Sequence, residues 1–429
     1  MKILCTGDVH IGRPLSRIPD WYQGGRVPSS AAWSAIVDLA IREQVDLVAI
    51  SGDLVDQANR YYEAISPVEI GVRALRAAGI PIVAVTGNHD FDVLPRIADR
   101  LDGAIQLLGR GGHWQRWTLL DDAGHARLHV DGWSFPTEHV RINPAHSYQL
   151  DPVRDAPVLG LLHADLDNSA SEYAPVSRRD LEQLHPGFWL LGHIHAPSNP
   201  GETGTKPILY PGSPFALDPG ESGLHGVVLV TVDLSGGFQV ERRATAPIRY
   251  DRCTVDLTGA TDPTMAATII EDGVRAFLRT ALAHVDGGAL ELLIARVVLV
   301  GRVKPGLNID NEIAGLIEDF RYTHGTRNSV LKIEEIDNRT TPEIDLDLLA
   351  AGIDAPAAIA RTLLSLQDDA SVLRKTVIDG ARARAQSITR GPRYRELPEP
   401  DLSDSAMVAV IEQESWLLLD ALVAQKGAN

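Results

Sequence analysis

Short apolar runs punctuate the first hundred positions. Lys2–Cys5, Asp46–Ile50 and Ile82–Val85 are too brief for helices and too evenly apolar for half-exposed strands, so they predict β-strands buried on both faces. Between them, Ala31–Glu43 and Tyr61–Ala78 carry apolar residues at helical spacing. Strands alternating with helices predict an α/β fold. Past Ile105 the elements shorten. RLHVDGW, VLGLLH, FWLLGHIH, KPILYPGS and HGVVLVTVDL each join β-branched or aromatic residues to a nearby Gly or Pro. The prediction is a sandwich of mixed β-sheets flanked by helices.

The pattern restarts near Pro247–Arg252. RCTVDL reads as a strand, Asp262 as an N-cap before Pro263 at the first helical position, and Thr264–His284 as a helix. LELLIARVVLV predicts a strand, Ile309–Phe320 a helix and VLKIEEI a strand, which makes a small separate α/β module. The acidic stretch Glu334–Asp347 reads as a loop. Three helices follow at Pro356–Leu366, Ala370–Ser387 and Ser403–Gln425, the last with a broad apolar face of Met407, Val410, Ile411, Leu417, Leu418 and Leu422. The expected divisions are 1–245, 246–337 and a helical 338–429.

A chain of 429 residues accommodates that division, and 44% hydrophobic with 23% charged residues excludes disordered and fibrous classes. The formal charge of −17 changes the picture more: 20 basic and 29 acidic residues lie in 1–245, and 20 and 28 in 246–429, so neither half is a basic module. Coating of nucleic acid or membrane through the overall field is excluded. Two cysteines, Cys5 and Cys253, form no disulfide framework, and no stretch approaches a signal peptide or a membrane span. A cytoplasmic protein without membrane attachment is expected.

Candidate chemistry clusters just after the apolar strands. Asp8 and His10 follow the first, Asp53 the second, and Asn88, His89 and Asp90 the third; His163, His193 and His195 close two later ones. Open α/β sheets bind ligands at the carboxyl ends of their strands, so these side chains can meet in one crevice. In Asp-x-His and His-x-His, an extended backbone points both side chains the same way. Asp8, His10, Asp53, Asn88, His163, His193 and His195 supply four imidazoles, two carboxylates and an amide oxygen, too many donors for one ion. Nitrogen and oxygen donors without thiolate suit Mn²⁺, Fe²⁺ or Zn²⁺. Two ions about 3.5–4 Å apart, bridged by one carboxylate, would suit in-line displacement at phosphorus.

The ordered set GDVH, GDLVD, GNHD, a lone His and GHIH resembles the calcineurin-like metallophosphoesterases, over residues 1 to 245. GHIH followed by YPGSP (Tyr210–Pro214), with a trailing module similar to a capping domain, resembles the Mre11/SbcD nuclease branch. The resemblance implies one metal on Asp8, His10, Asp53 and His195 and another on Asp53, Asn88, His163 and His193, with Asp53 bridging. It implies two divalent ions, Mn²⁺ first, with Fe²⁺, Zn²⁺ or Mg²⁺ as alternatives. His89 would act on the leaving oxygen or the phosphorane, and Asp90 would orient its imidazole. DNA, an SbcC/Rad50-like ATPase docked on the C-terminal region and a second copy of the chain are the implied partners. Phosphoprotein phosphatases of this superfamily read GDxVDRG and GNHE, whereas this chain has Asp56-Gln57 and Asp90. Asp56 stands where archaeal and eukaryotic Mre11 proteins carry a histidine, a pattern closer to bacterial SbcD; here it is expected to orient a ligand.

Substrate contacts are expected from two loops. RPLSRIPDWYQGGRVP, with Arg13, Arg17, Trp21, Tyr22 and Arg26, reads as a nucleic-acid lip or as a solvated loop. YPGSP offers Tyr210 and Ser213 to a phosphate, or is a plain turn. Arg374–Arg395, with seven basic residues against Asp379, reads as an exposed helix face or a contact for DNA or an acidic partner. The functional expectation is a two-metal DNA exonuclease or endonuclease of repair or end processing. The alternatives are a small-molecule or cyclic-nucleotide phosphodiesterase and a DNA-end tether with weak catalysis.

Overall fold

The computed structural model describes residues 1–13, Ile18, Tyr22, 28–56, 61–198, 206–233, 237–283, 290–324, 329–389 and 400–427. Strands β1 (Lys2–Thr6), β2 (Leu47–Ile50), β3 (Ile82–Ala84) and β4 (Ile105–Leu107) run parallel in that order. They alternate with helices α1 (Pro28–Arg42), α2 (Tyr61–Ala77) and α3 (Val93–Arg100). Because successive strand residues face opposite ways, Leu4, Val48 and Ile50 pack under the helices with Trp33, Ile36, Val68, Val72 and Ile97. Ile3, Cys5, Leu47, Ala49 and Val83 fill the other face. Both faces are dry, which is why the runs are continuously apolar. Trp33 Nε1 donates to the carbonyl of Pro67 inside α2 at 3.0 Å and ties the first two helices together.

The second sheet covers that inner face. It holds β5 (Gln115–Leu120), β6 (Ala126–Trp133) and β7 (Val158–His163); after the short pair β8 (Asp165–Leu166) and β9 (Pro175–Val176) and helix α4 (Arg178–Gln183) come β10 (Phe188–Gly192) and β11 (Ile208–Leu209). The order is β11-β10-β7-β6-β5, parallel except for the β5–β6 hairpin. Leu128, Val130, Leu159, Leu161 and Leu190 meet the first sheet in one core. β12 (Gly226–Val232) and β13 (Phe238–Ala244) return antiparallel to the β1 side of the first sheet. This mixed α/β sandwich is the predicted architecture.

Beyond it lie β14 (Ile248–Asp256), α5 (Pro263–Ala283), β15 (Leu292–Val300), β16 (Arg302–Val303), α6 (Asp310–Asp319), β17 (Arg321–His324), β18 (Ser329–Asn338) and β19 (Thr341–Pro342). Four of them form a sheet ordered β14-β15-β18-β17. The chain closes with α7 (Leu346–Ala350), α8 (Ala355–Leu366), α9 (Val372–Thr389) and α10 (Asp404–Gly427). Contacts gather the chain into two compact units, 1–255 with 270–298 and 311–337, and 256–269 with 299–310 and 338–429.

One expectation changes and two are sharpened. Glu334–Asp347 is not a loop throughout, since β18 runs to Asn338 and Asp345 caps α7 through the Leu348 N–H. The acidic residues of β18 are held by Arg296 across the sheet, 2.8 Å from Glu334 and 3.6 Å from Glu335. In α10, Met407 is buried but Val410, Leu417 and Leu418 are 53%, 59% and 53% exposed, so the predicted apolar face is only partly covered. Trp416 on the same helix instead takes the Arg302 guanidinium 3.6 Å above its ring, and Asp420 pairs with that arginine. Third, of the expected basic cluster only Arg374–Thr389 is described, and there Arg374 pairs with Asp369 and Arg382 with Asp379 and Asp404. No helix among the described residues is long and apolar enough to cross a membrane.

Candidate metal centre

The strands that end near the crevice deliver polar residues, most of them through a tight turn and His163 from the strand's own last position. β1 hands over to Asp8 and His10, β2 to Asp53, β3 to Asn88, β7 to His163 and β10 to His193 and His195. The backbone there is not extended as the Asp-x-His spacing implied. Asp8, His10, Asp53 and His193 have φ of 51°, 47°, 50° and 100°, four of the eight described non-glycine residues in the left-handed region. Such conformations persist where the surroundings enforce them. Asp8 and His10 donate their N–H groups to the carbonyls of Gly52 and Asp53, both at 3.0 Å, so the two turns are laced together. Two glycines are required by close approach: a Cβ on Gly52 (φ 98°) would lie 2.7 Å from His163 Nδ1 and 2.8 Å from the Gly87 nitrogen, and one on Gly87 would lie 2.3 Å from Asp53 Oδ1.

The side chains converge. Asp8, His10 and His195 form one tight group of donor atoms, Asp8, Asp53 and His163 a second, and His10, Asp56 and His89 a third, each within 4.8 Å. His10 Nε2 faces His195 Nε2 at 3.3 Å and lies 3.9 Å from Asp53 Oδ2. His163 Nε2 lies 3.4 Å from the same Asp53 oxygen and 3.0 Å from Asn88 Oδ1. Asp53 thus stands between two imidazoles. His193 adjoins this cluster by its ring, 5.4 Å from that of His163 and 4.9 Å from that of Tyr173, and its backbone N–H donates to Asp8 Oδ1 at 3.0 Å.

Three of the other ring nitrogens are engaged. His163 Nδ1 donates to the Ser51 carbonyl at 3.0 Å, His195 Nδ1 to Glu221 Oε1 at 2.7 Å and His89 Nδ1 to the Asp56 carbonyl at 2.7 Å. His10 Nδ1 lies 3.2 Å from Asp56 Oδ1. An acceptor on Nδ1 keeps the proton there and leaves Nε2 for a cation.

Charge follows burial. Asp8 is fully buried, and desolvation raises its pKa to about 6 against the opposing pull of His195 and the His193 N–H. Asp53 is raised well above the usual carboxylate value, first by burial and then by the charges of Asp90 and Asp8. Burial lowers His10 to about 3 against the pull of Asp56, and lowers His163 well below the ordinary imidazole value. Burial works the same way on His195, but Glu221 and Asp8 lift it above its ordinary value. Among the described residues no Lys or Arg pairs with Asp8 or Asp53. Buried carboxyl groups facing the neutral imidazoles of His10 and His163, with no Lys or Arg partner among the described residues, fit divalent cations in charge and in donor type.

Several expectations are corrected. Asp90 does not orient His89: its carboxylate accepts the N–H groups of Leu54 and Gly87, both at 2.8 Å, and so ties two ligand turns together. Asp56 is the neighbour of His89. Tyr210 is 6% exposed, its hydroxyl donating to the Ala164 carbonyl at 2.8 Å and accepting the Leu166 N–H at 2.9 Å. Ser213 is fully buried between Glu221 and His225. Neither presents itself to a substrate. Arg13 is close enough for its charge to act on Asp56, His89 and His195, while Arg17, Trp21 and Arg26 lie outside the described residues. Tyr22 donates its hydroxyl to Glu291 at 2.6 Å. Sequence reasoning missed Glu221, Ser51 and Tyr173, none of which sits in a recognisable motif.

Comparison with known proteins defines the class. The family profile of the calcineurin-like phosphoesterases matches residues 1–197, and those residues are a calcineurin-like metallophosphoesterase domain, of a kind that binds two divalent metal ions. The uncharacterized metallophosphoesterase YhaO of Bacillus subtilis is 26% identical over 300 residues, 63% of this chain and 67% of that one. The DNA double-strand break repair protein Mre11 of Aeropyrum pernix is 28% identical over 345 residues, 77% of this chain and 80% of its own. Mre11 of Methanopyrus kandleri is 25% identical over 265 residues, 56% of each chain.

Proposed function

We propose that this metal-dependent phosphoesterase is a DNA nuclease of the SbcD/Mre11 type, hydrolysing phosphodiester bonds during repair or end processing. The observation that carries the reading is the reach of the similarity to the Aeropyrum Mre11, 345 residues against the 197 of the phosphoesterase domain. A small-substrate esterase has little use for the remainder. In this reading 246–337 caps the nuclease domain, and 338–429, with its partly uncovered α10, receives an SbcC/Rad50-like ATPase. DNA, that ATPase and a second copy of the chain are the partners, and the cytoplasm the setting.

Asp8, His10, Asp53 and His195 would hold one ion, and Asp53, Asn88, His163 and His193 the other, with Mn²⁺ the first candidate. Two divalent ions supply an activated water and charge stabilisation at the phosphate oxygens. The chain's own residues do the rest. Ser51, Glu221 and Asp56 keep the imidazoles in one orientation, and Asp90 holds the Asp53 and Asn88 turns in register. His89 is the residue with room to act on substrate, its side chain 30% exposed beside buried His10. With Nδ1 donating to the Asp56 carbonyl, Nε2 is the atom left to face substrate, and it passes a proton to the departing sugar oxygen only from the imidazolium form, after first taking one up.

The formal charge of −17 favours a second reading, a phosphodiesterase of small or cyclic-nucleotide substrates. Incubation with Mn²⁺ of linear duplex, hairpin and circular single-stranded DNA beside a chromogenic phosphodiester separates the two. Cleavage of DNA is expected. Hydrolysis of the small ester with every DNA intact, partner ATPase included, rejects the nuclease.

A further inference from the structure

We propose that Glu221 is a positioning residue of the metal centre: it dictates which nitrogen His195 leaves free, and Ser213 and His225 hold it to that task. The inference rests on the metal-binding reading above and adds a residue from outside the recognised motifs. A carboxylate oxygen at 2.7 Å from Nδ1 can only accept, so in the neutral ring that nitrogen carries the proton and Nε2 keeps its lone pair. This Nε2 is the atom that faces His10 Nε2 at 3.3 Å.

Glu221 is itself anchored. Its second oxygen accepts the Leu217 N–H at 2.9 Å and the Ser213 hydroxyl at 3.3 Å. His225, buried, brings Nδ1 to 3.0 Å from both the hydroxyl and the carbonyl of Ser213, and Nε2 to 3.2 Å from the Glu221 carbonyl. Ser213 in turn donates its N–H to the His195 carbonyl at 3.0 Å, which closes the circuit on the residue being oriented. The YPGSP loop therefore serves the ligand shell from behind, which explains a serine with no exposure in so polar a motif. His163 is oriented by the Ser51 carbonyl instead. Loss of Glu221 should consequently strike the His10–His195 position and spare the one built on Asn88 and His163.

The test uses the full chain. In the metal-free protein, at a pH high enough for the His195 ring to be neutral, long-range ¹⁵N–¹H spectra should show its proton on Nδ1. Glu221→Ala should shift the ring toward the other tautomer, while Glu221→Gln, whose amide oxygen still accepts, should retain it. Calorimetric titration with Mn²⁺ should find two binding events, one weakened about 10- to 100-fold in Glu221→Ala and nearly restored in Glu221→Gln. An unchanged tautomer and two unchanged affinities in a folded Glu221→Ala overturn the proposal. Should the alanine variant fail to fold, a Glu221→Gln protein whose His195 adopts the other tautomer overturns it as well. Wild-type protein that binds no Mn²⁺ defeats the metal reading alone, because the tautomer is read without metal.

Discussion

Metal affinity should fall steeply below neutral pH, and protons should leave the protein as the ion enters. Asp8, at about 6 in the metal-free protein instead of 3.8, holds a proton that a cation must displace. At pH 5 that displacement costs about 1.4 kcal/mol, tenfold in affinity, and above pH 7 it costs nothing. Asp53, raised by burial and by the charges of Asp90 and Asp8, steepens the slope further. His195, which Glu221 and Asp8 lift against the effect of burial, gives up a proton too. His10, pushed down to about 3, and His163, well below its ordinary value, are already neutral and release none. Stability follows with a definite sign. A carboxyl raised in the fold stabilises it below the unfolded value near 4, and that contribution is lost as pH rises through 6. The ion's contribution grows over the same interval. The increase in Tm on adding Mn²⁺ should therefore widen from pH 5 to pH 8. Calorimetry at pH 5.5, 6.5 and 7.5, in two buffers of different ionisation enthalpy, counts the protons directly. Affinity independent of pH over that range, or net proton uptake, would refute the reasoning. Asp8→Asn should lower affinity throughout and flatten the slope.

Replacing His89 by Ala should leave Mn²⁺ stoichiometry intact and lower hydrolysis about 10²- to 10⁴-fold in a steady-state assay, since the side chain is proposed to move a proton and not to hold metal. Gly52→Ala places a Cβ against the Gly87 backbone at a φ of 98°, so thermal denaturation should register a loss of about 1–3 kcal/mol. Metal affinity should fall with it, because the same Cβ meets His163. Cleavage of duplex DNA by the chain alone should decline sharply between low and physiological salt, while hydrolysis of a neutral-leaving-group ester should change little.

The readable parts of the fold are those buried on both sides. β1 was legible because Ile3 and Cys5 face one core and Leu4 the other, and α1 because Trp33, Ile36 and Ala40 recur on the face that meets the sheet. β5 and β13 were not, since as edge strands they present Gln115, Leu120, Glu241 and Arg242 to their surroundings and keep few buried apolar positions. α3 is short and carries Pro95 within its buried stripe of Val93, Leu94 and Ile97. At the candidate metal centre the donors were legible because each closes a strand or follows one within a few residues. Their orientation was not. Glu221 reaches His195 from a loop 26 residues on, Ser51 reaches His163 from 112 residues away, and no local pattern encodes either approach. Tyr210 and Ser213 were misread for the related reason that a hydroxyl in a turn looks the same in sequence whether it meets solvent or a buried carboxylate.

The orienting contacts also bear on the chain's acidity. Glu221, Asp56 and Asp90 are spent on an imidazole, on a pair of imidazoles and on two backbone N–H groups, so part of the negative charge near the centre is committed inside the fold. Two divalent ions would contribute four positive charges where Asp8 and Asp53 lie buried, and bound ions are often the largest local charges in a site. A strongly acidic protein can then draw a phosphate to one place while repelling it elsewhere. That distribution sets the cost of the −17 on association with a long polyanion and the gain at the catalytic position. On the nuclease reading, Arg13, whose charge acts on His89, is a described basic residue placed to help hold DNA, and the isolated chain should bind DNA far less tightly than it binds its metals.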